Sequence, residues 1–234
     1  PRVAVRPGGY WIAWLVNTGS GGHARVYDPG EAETEAKGAS ANGTGGRAIV
    51  LLALDSAGHA VGHPRRVTSA HERVVGYDLT SDASGTAWIA WREGAASAAA
   101  SGGRISAAAL APDQPPRSLV LRQDEVGSGE PSWVGESSGG GSWLTFPDQR
   151  DRSVLSSIAE RASALVASAP LALGQELEGA TVLAGRGERV LFAAPRGRAL
   201  HLAVATCALA AAGVPNPGVP TALLAARSDA GTQP

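Results

Sequence analysis

Three arginines recur at one kind of position in this sequence. Arg92, Arg150 and Arg196 each follow a short apolar segment by one to four residues, and Asp148 precedes the second of them. The guanidinium is a rigid fork of donors matched to a carboxylate, so arginines brought together from separate segments would grip an anionic group in a fixed orientation. Arg92, Asp148, Arg150 and Arg196 are the candidate binding residues, and loop solubility or ordinary salt bridging is the plainer use of the same side chains.

Catalysis asks for more. A hydrolase needs an acid or a nucleophile whose pKa is tuned by a neighbour. Asp28, Asp55, Asp82, Asp113 and Asp148 fall in turn-like stretches, where a carboxylate satisfies backbone amides and keeps its water. No catalytic residue is expected on this pattern. Gly135-Glu136-Ser137-Ser138-Gly139 has the letters of a nucleophile elbow. That motif works only on a strand-to-helix turn with a later acid and histidine, and here a glycine run and another apolar strand follow, so a turn is expected.

His59, His63 and His71, with Asp55 and Glu72, are the densest group of possible metal ligands. Pro64, Arg65 and Arg66 beside them point to an exposed turn, so no metal and no cofactor is expected. Asn42-Gly43-Thr44 has the form of a glycosylation sequon inside a low-complexity stretch.

The elements that would carry these residues announce themselves by repetition. Trp11-Ile12-Ala13-Trp14 returns as Trp88-Ile89-Ala90-Trp91, and more loosely as Trp143-Leu144-Thr145-Phe146 and Val190-Leu191-Phe192-Ala193. Such short runs of β-branched and aromatic residues between glycine-containing turns read as buried strands. A second series keeps the same phase. Arg47, Arg104, Arg152 and Arg198 each open a further apolar segment, and their spacings are 57, 48 and 46 residues.

A strand candidate precedes each tryptophan-type strand, at Arg2 to Arg6, Arg73 to Leu79, Glu130 to Gly135 and Ala180 to Ala184. Another follows each arginine-led strand, at Arg65 to Thr68, Ser118 to Arg122, Ala164 to Ser168 and Ala222 to Ala226. Four strands per unit at this period is the pattern of propeller blades. The expected fold is all-β, a propeller of about four four-stranded blades over residues 1–71, 72–124, 125–174 and 175–234. Either the four close directly, or the chain is about half of a seven- or eight-bladed ring. A pair of β-sandwiches is the main alternative. Residues 17–46, rich in Gly, Ser, Ala, Glu and Thr, are expected to form a long, mobile loop insertion.

The rhythm of Trp-Ile-Ala-Trp, Leu-Asp-Ser-Ala-Gly-His-Ala-Val-Gly and Gly-Thr-Ala-Trp-Ile-Ala-Trp-Arg resembles secreted or lipid-anchored bacterial β-propeller proteins of the sialidase-like and YVTN-like kind. Ser81-Asp82-Ala83-Ser84-Gly85-Thr86-Ala87-Trp88 is similar to the aspartate box of the sialidase-like group, with altered spacing. In those proteins the box is structural and lies away from the catalytic face. The resemblance implies an extracellular, periplasmic or cell-envelope location. A sialidase would add a tyrosine–glutamate pair, and Tyr10, Tyr27 and Tyr77 have no evident glutamate partner.

Composition excludes some classes. The formal net charge of −1 gives no electrostatic footprint for nucleic acid. No run of eighteen apolar residues suits a membrane span. Cys207 is the one cysteine, so no disulfide forms within the chain. A chain starting at Pro1 is expected to be a processed product or a piece of a longer one. The expectation is a non-catalytic binding or scaffold propeller for a protein, peptide or glycan, with a sialidase-like glycoside hydrolase or lyase as the alternative.

Overall fold

In a computed structural model, the residues described are 1–18, 46–69, 72–94, 103–111, 114, 116–122, 129–137, 141–148, 150, 153–161, 164–168, 171–172, 181–187, 189–196 and 199–206. Every regular element among them is a strand. The first sheet is an antiparallel meander of β1 (Arg2–Arg6), β2 (Gly9–Thr18), β3 (Gly46–Asp55) and β4 (Ala60–Arg66). The second repeats it with β5 (Val74–Ser81), β6 (Ala87–Glu93), β7 (Arg104–Leu110) and β8 (Arg117–Arg122).

The third and fourth units are β9 (Ser132–Ser137), β10 (Gly141–Pro147), β11 (Ser153–Arg161), β12 (Ala164–Ala167) and β13 (Leu171–Ala172), then β14 (Thr181–Gly187), β15 (Arg189–Arg196) and β16 (Ala199–Thr206). They form one eight-stranded sheet, because β9 and β14 pair in parallel from Gly135–Gly185 to Ser137–Gly187. The repeat alone suggested separate units here. Glycine is the physical reason for the join. A Cβ on Gly135 would stand 2.2 Å from the Gly185 carbonyl oxygen, and one on Gly185 would stand 2.7 Å from the Trp143 ring. With no side chain at either position the backbones come close enough to share a ladder.

Strand alternation decides what lies between the sheets. On β6, Ala87, Ile89 and Trp91 pack with Trp11, Ala13, Ile49 and Leu51 of the first sheet. Trp88 and Ala90, pointing the other way, pack with Trp133, Leu144, Phe146 and Ile158 of the third unit. The second sheet is thus covered on both faces, and Trp11, Trp88 and Trp91 each have a small residue on at least one neighbouring strand, although Trp91 also lies opposite Tyr77. Trp88 lies opposite Ala109, Trp91 opposite Ser106, and Trp11 between Ala4 and Ala53. Large against small lets the layers interdigitate without voids. Trp11, Trp88 and Trp91 are buried, whereas Trp14, facing away from the second sheet, is half-buried.

Several sequence expectations shift in detail. His63 and Pro64 lie in β4 and not in a turn; β4 begins at Ala60, and a proline is tolerated on such an edge strand. Gly135 to Ser137 lie in β9. Asn17, Thr18 and Gly46 belong to strands, and the rest of the 17–46 insertion lies outside the described residues. So do Asn42, His71 and the strand expected at Ala222 to Ala226.

Candidate functional site

The four unit-opening strands lie side by side and run the same way. Arg2 of β1 reaches Asp78 of β5 at 3.9 Å, and farther along β1 the Val5 carbonyl accepts from the Ser81 hydroxyl. Asp78 in turn accepts from the Trp133 amide of β9 at 2.9 Å and from the Ser132 hydroxyl at 3.3 Å. β9 then pairs with β14. Arg2 also reaches Glu130 at 3.5 Å, so charged side chains from three successive units meet beside one line of strands.

The meanders fix which loops share an end. Strands β1, β5, β9 and β14 start at the end of the stack where β2, β6, β10 and β15 finish. Arg92, Asp148, Arg150 and Arg196 all occupy that end, at or just beyond the second strand of their unit. Arg92 is half-buried at the close of β6, and its buried Nε has no hydrogen-bond partner. Asp148 is buried, and its Oδ1 accepts from the Arg150 amide at 2.8 Å, so it shapes the loop that presents the exposed Arg150. Arg196 closes β15; its side chain is outside the described residues. Beyond that one bond, no described contact joins the four.

The sequence did not single out a cluster at the same end. Arg104 forks onto Glu93 through two hydrogen bonds of 2.8 Å, and the Trp91 indole donates to the same carboxylate at 3.2 Å. Arg104 also reaches Glu72 at 3.8 Å. Burial, and after it repulsion from Glu93, holds the Glu72 carboxyl above its ordinary range, and Glu72 Oε2 is buried without a partner. Glu93 and Arg104 pair across adjacent strands β6 and β7. The in-phase arginine series was the sequence signal that could have found this pair.

The opposite end is built for structure. Asp82 Oδ1 accepts from the amides of Ser84 and Thr86 and from the Ser84 hydroxyl, while Oδ2 accepts from the Trp88 indole at 3.0 Å. Asp55 likewise accepts from the amides of Ala57 and His59, and that backbone bonding to His59 is the chief cause of its lowered pKa. The Tyr77 hydroxyl is engaged by the Ala13 carbonyl at 3.0 Å in the interior. Among the described residues no three His, Cys, Asp or Glu side chains gather as a metal site would need. No described helix is long and apolar enough to cross a membrane.

No protein-family model matches this sequence, and no curated protein matches it either.

Proposed function

We propose that the chain is a β-propeller segment of about four blades, acting as a non-catalytic binding or scaffold module for a carboxylate-bearing protein, peptide or glycan. The propeller reading is supported by the four unit-opening strands in parallel file, each leading into an antiparallel meander, with indoles packed between the sheets. One observation carries the choice of ligand. Arg2, Arg104 and Arg117 face carboxylates of the protein itself, whereas Arg92 and Arg150 form no ion pair among the described residues. Arginines with no described carboxylate partner on a rigid scaffold are suited to a carboxylate from outside. An extracellular or cell-envelope setting belongs to the same proposal.

Calorimetric titration with a glutamate-rich peptide and with an acidic oligosaccharide, each beside its neutral counterpart, tests this. Binding of one acidic ligand, weakened about tenfold or more by Arg92→Ala or Arg150→Ala, is the expected result, since one charge-assisted hydrogen bond is worth about 1.5–3 kcal/mol. Equal binding of neutral and acidic ligands, or none, would overturn the ligand class. The competing reading, a sialidase-like hydrolase or lyase, has one feature in its favour: a carboxyl, Glu72, kept above its ordinary pKa beside a second one. Turnover of acidic glycosides that Glu72→Gln abolishes would establish it instead.

A further inference from the structure

Two arginines at corresponding places in the repeat meet different fates. Arg104 opens β7 and is locked to Glu93. Arg47, its counterpart near the start of β3, is exposed and has no ion pair among the described residues. What stands beside Arg47 is a second arginine. A parallel bridge joins it to Arg73, the residue before β5, which is exposed too.

Both backbones are held. The Arg47 amide donates to the Glu72 carbonyl at 2.9 Å, and the Gly94 amide donates to the Arg73 carbonyl at 2.9 Å. Bridge partners carry their side chains on the same side, with the backbones about 4.8 Å apart. Like charges so placed are destabilising. The carboxylates nearest in sequence do not relieve the pair, because Glu72 and Glu93 are both engaged by Arg104. Arg73 has another interaction besides, but a guanidinium has five donors and can serve two partners.

Two guanidinium forks side by side suit one anion with two charges and several acceptor oxygens. A phosphoryl group carries about −1.5 to −2 charge and three strong acceptors, and arginine clusters take it through bidentate bonds. A carboxylate brings one charge, so it would leave half of the pair uncompensated. We infer that Arg47 and Arg73 form a binding site for a dianionic oxyanion of the phosphate or sulfate type, where the first unit meets the second. The site lies at the end of the stack that carries Arg92 and Arg150, since β3 starts where β2 finishes. It does not depend on the carboxylate reading of those two residues.

The test is calorimetric titration of the full chain with inorganic sulfate, inorganic phosphate and acetate. Ionic strength is held equal, at about pH 8, where phosphate is dianionic. Sulfate and phosphate should bind about tenfold or more tighter than acetate, and Arg47→Ala and Arg73→Ala should each remove about tenfold or more of that affinity. Arg47→Lys, which keeps the charge without the fork, should fall between. Phenyl phosphate beside inorganic phosphate separates two sources of the group. A tighter monoester points to an esterified ligand and a tighter inorganic ion to a free one, and either supports the site.

Melting gives a second readout. In chloride buffer Arg47→Ala should melt no lower than the wild type, because it removes a repulsion. Sulfate stabilises folded chains generally, so the gain is compared between chains, and the wild type should gain more than Arg47→Ala. Equal gains, no sulfate binding, acetate bound as tightly as sulfate, or full affinity in both alanine variants would overturn the inference. So would an Arg47→Ala chain that melts lower in chloride, which would give Arg47 a structural role instead. The glutamate-peptide titration reads Arg92 and Arg150, so failure there leaves these outcomes unaffected.

Discussion

The indole nitrogen of Trp11 donates to the Gly85 carbonyl at 2.9 Å, across 74 residues of sequence and inside the interior. The acceptor belongs to the very turn that Asp82 holds in shape. A side chain of the first unit is thus keyed to a backbone atom of the second, and the turn works as a socket. Trp11→Phe keeps most of the apolar area but leaves the Gly85 oxygen without this donor. The expected cost is about 1–3 kcal/mol, the usual range for orphaning a buried polar group. Denaturant titration measures it, and an unchanged midpoint would show that the bond contributes nothing.

Removing the brace should cost more. Asp82 accepts four hydrogen bonds, including the Trp88 indole. Asp82→Ala is expected to destabilise the chain by about 2–4 kcal/mol, several charge-assisted bonds lost together and not additively. Gly85 sits at φ +86, so Gly85→Ala should cost about 1–3 kcal/mol through strain in this region, although a Cβ there would meet only Pro7, at 3.4 Å. Thermal melts of the two variants, side by side, separate lost bonding from backbone strain.

Much of this architecture is legible in the sequence, and the reason is local. The Trp-Ile-Ala-Trp tetrapeptides and the arginine-led segments lie in strands because β-branched and aromatic residues suit a covered, pleated surface. The turn at Asp82 could be read because aspartate ties down its own following amides. Pairing between units is not local. Nothing in the letters around Gly135 and Gly185 marks them as partners 50 residues apart, and only the approach of their backbones makes them so. At the site, sequence could place Arg92, Asp148, Arg150 and Arg196 after their strands. It could not show that Asp148 turns back on the Arg150 amide, or that Arg104 is locked to Glu93.

The glycine pair gives the third prediction. Gly135→Ala puts a methyl group against the Gly185 carbonyl, at a backbone φ of +126 that side chains avoid. The parallel β9–β14 ladder must open to admit it. The expected cost is about 2–5 kcal/mol, overpacking and strain together. Because that ladder joins the third unit to the fourth, loss should fall mainly on β14 to β16. Hydrogen exchange should accelerate in β15 and β16 while β6 and β7 keep their protection. Uniform acceleration would mean that the junction is not a separable seam.

Glu72 provides a test whose sign is fixed in advance. Its carboxyl faces Glu93, Arg104 and Ser69, and burial leads the causes that raise its pKa, with Glu93 adding to it. A raised folded-state pKa means that the native chain holds the Glu72 proton more tightly than the unfolded chain does. Lowering pH through the raised value therefore stabilises the fold, and raising pH through it removes that stability. In Glu72→Gln the side chain stays neutral at every pH. Arg104 keeps its two bonds to Glu93, so the substitution does not deprive Arg104 of a carboxylate partner. The variant is expected to melt above the wild type near neutral pH, and the gap should close as pH falls below the ordinary glutamate range, where both states of the wild type are protonated. Melting temperatures of the two chains across that range decide it. A variant less stable than wild type at neutral pH would show that the attraction to Arg104 outweighs burial and the neighbouring carboxylate.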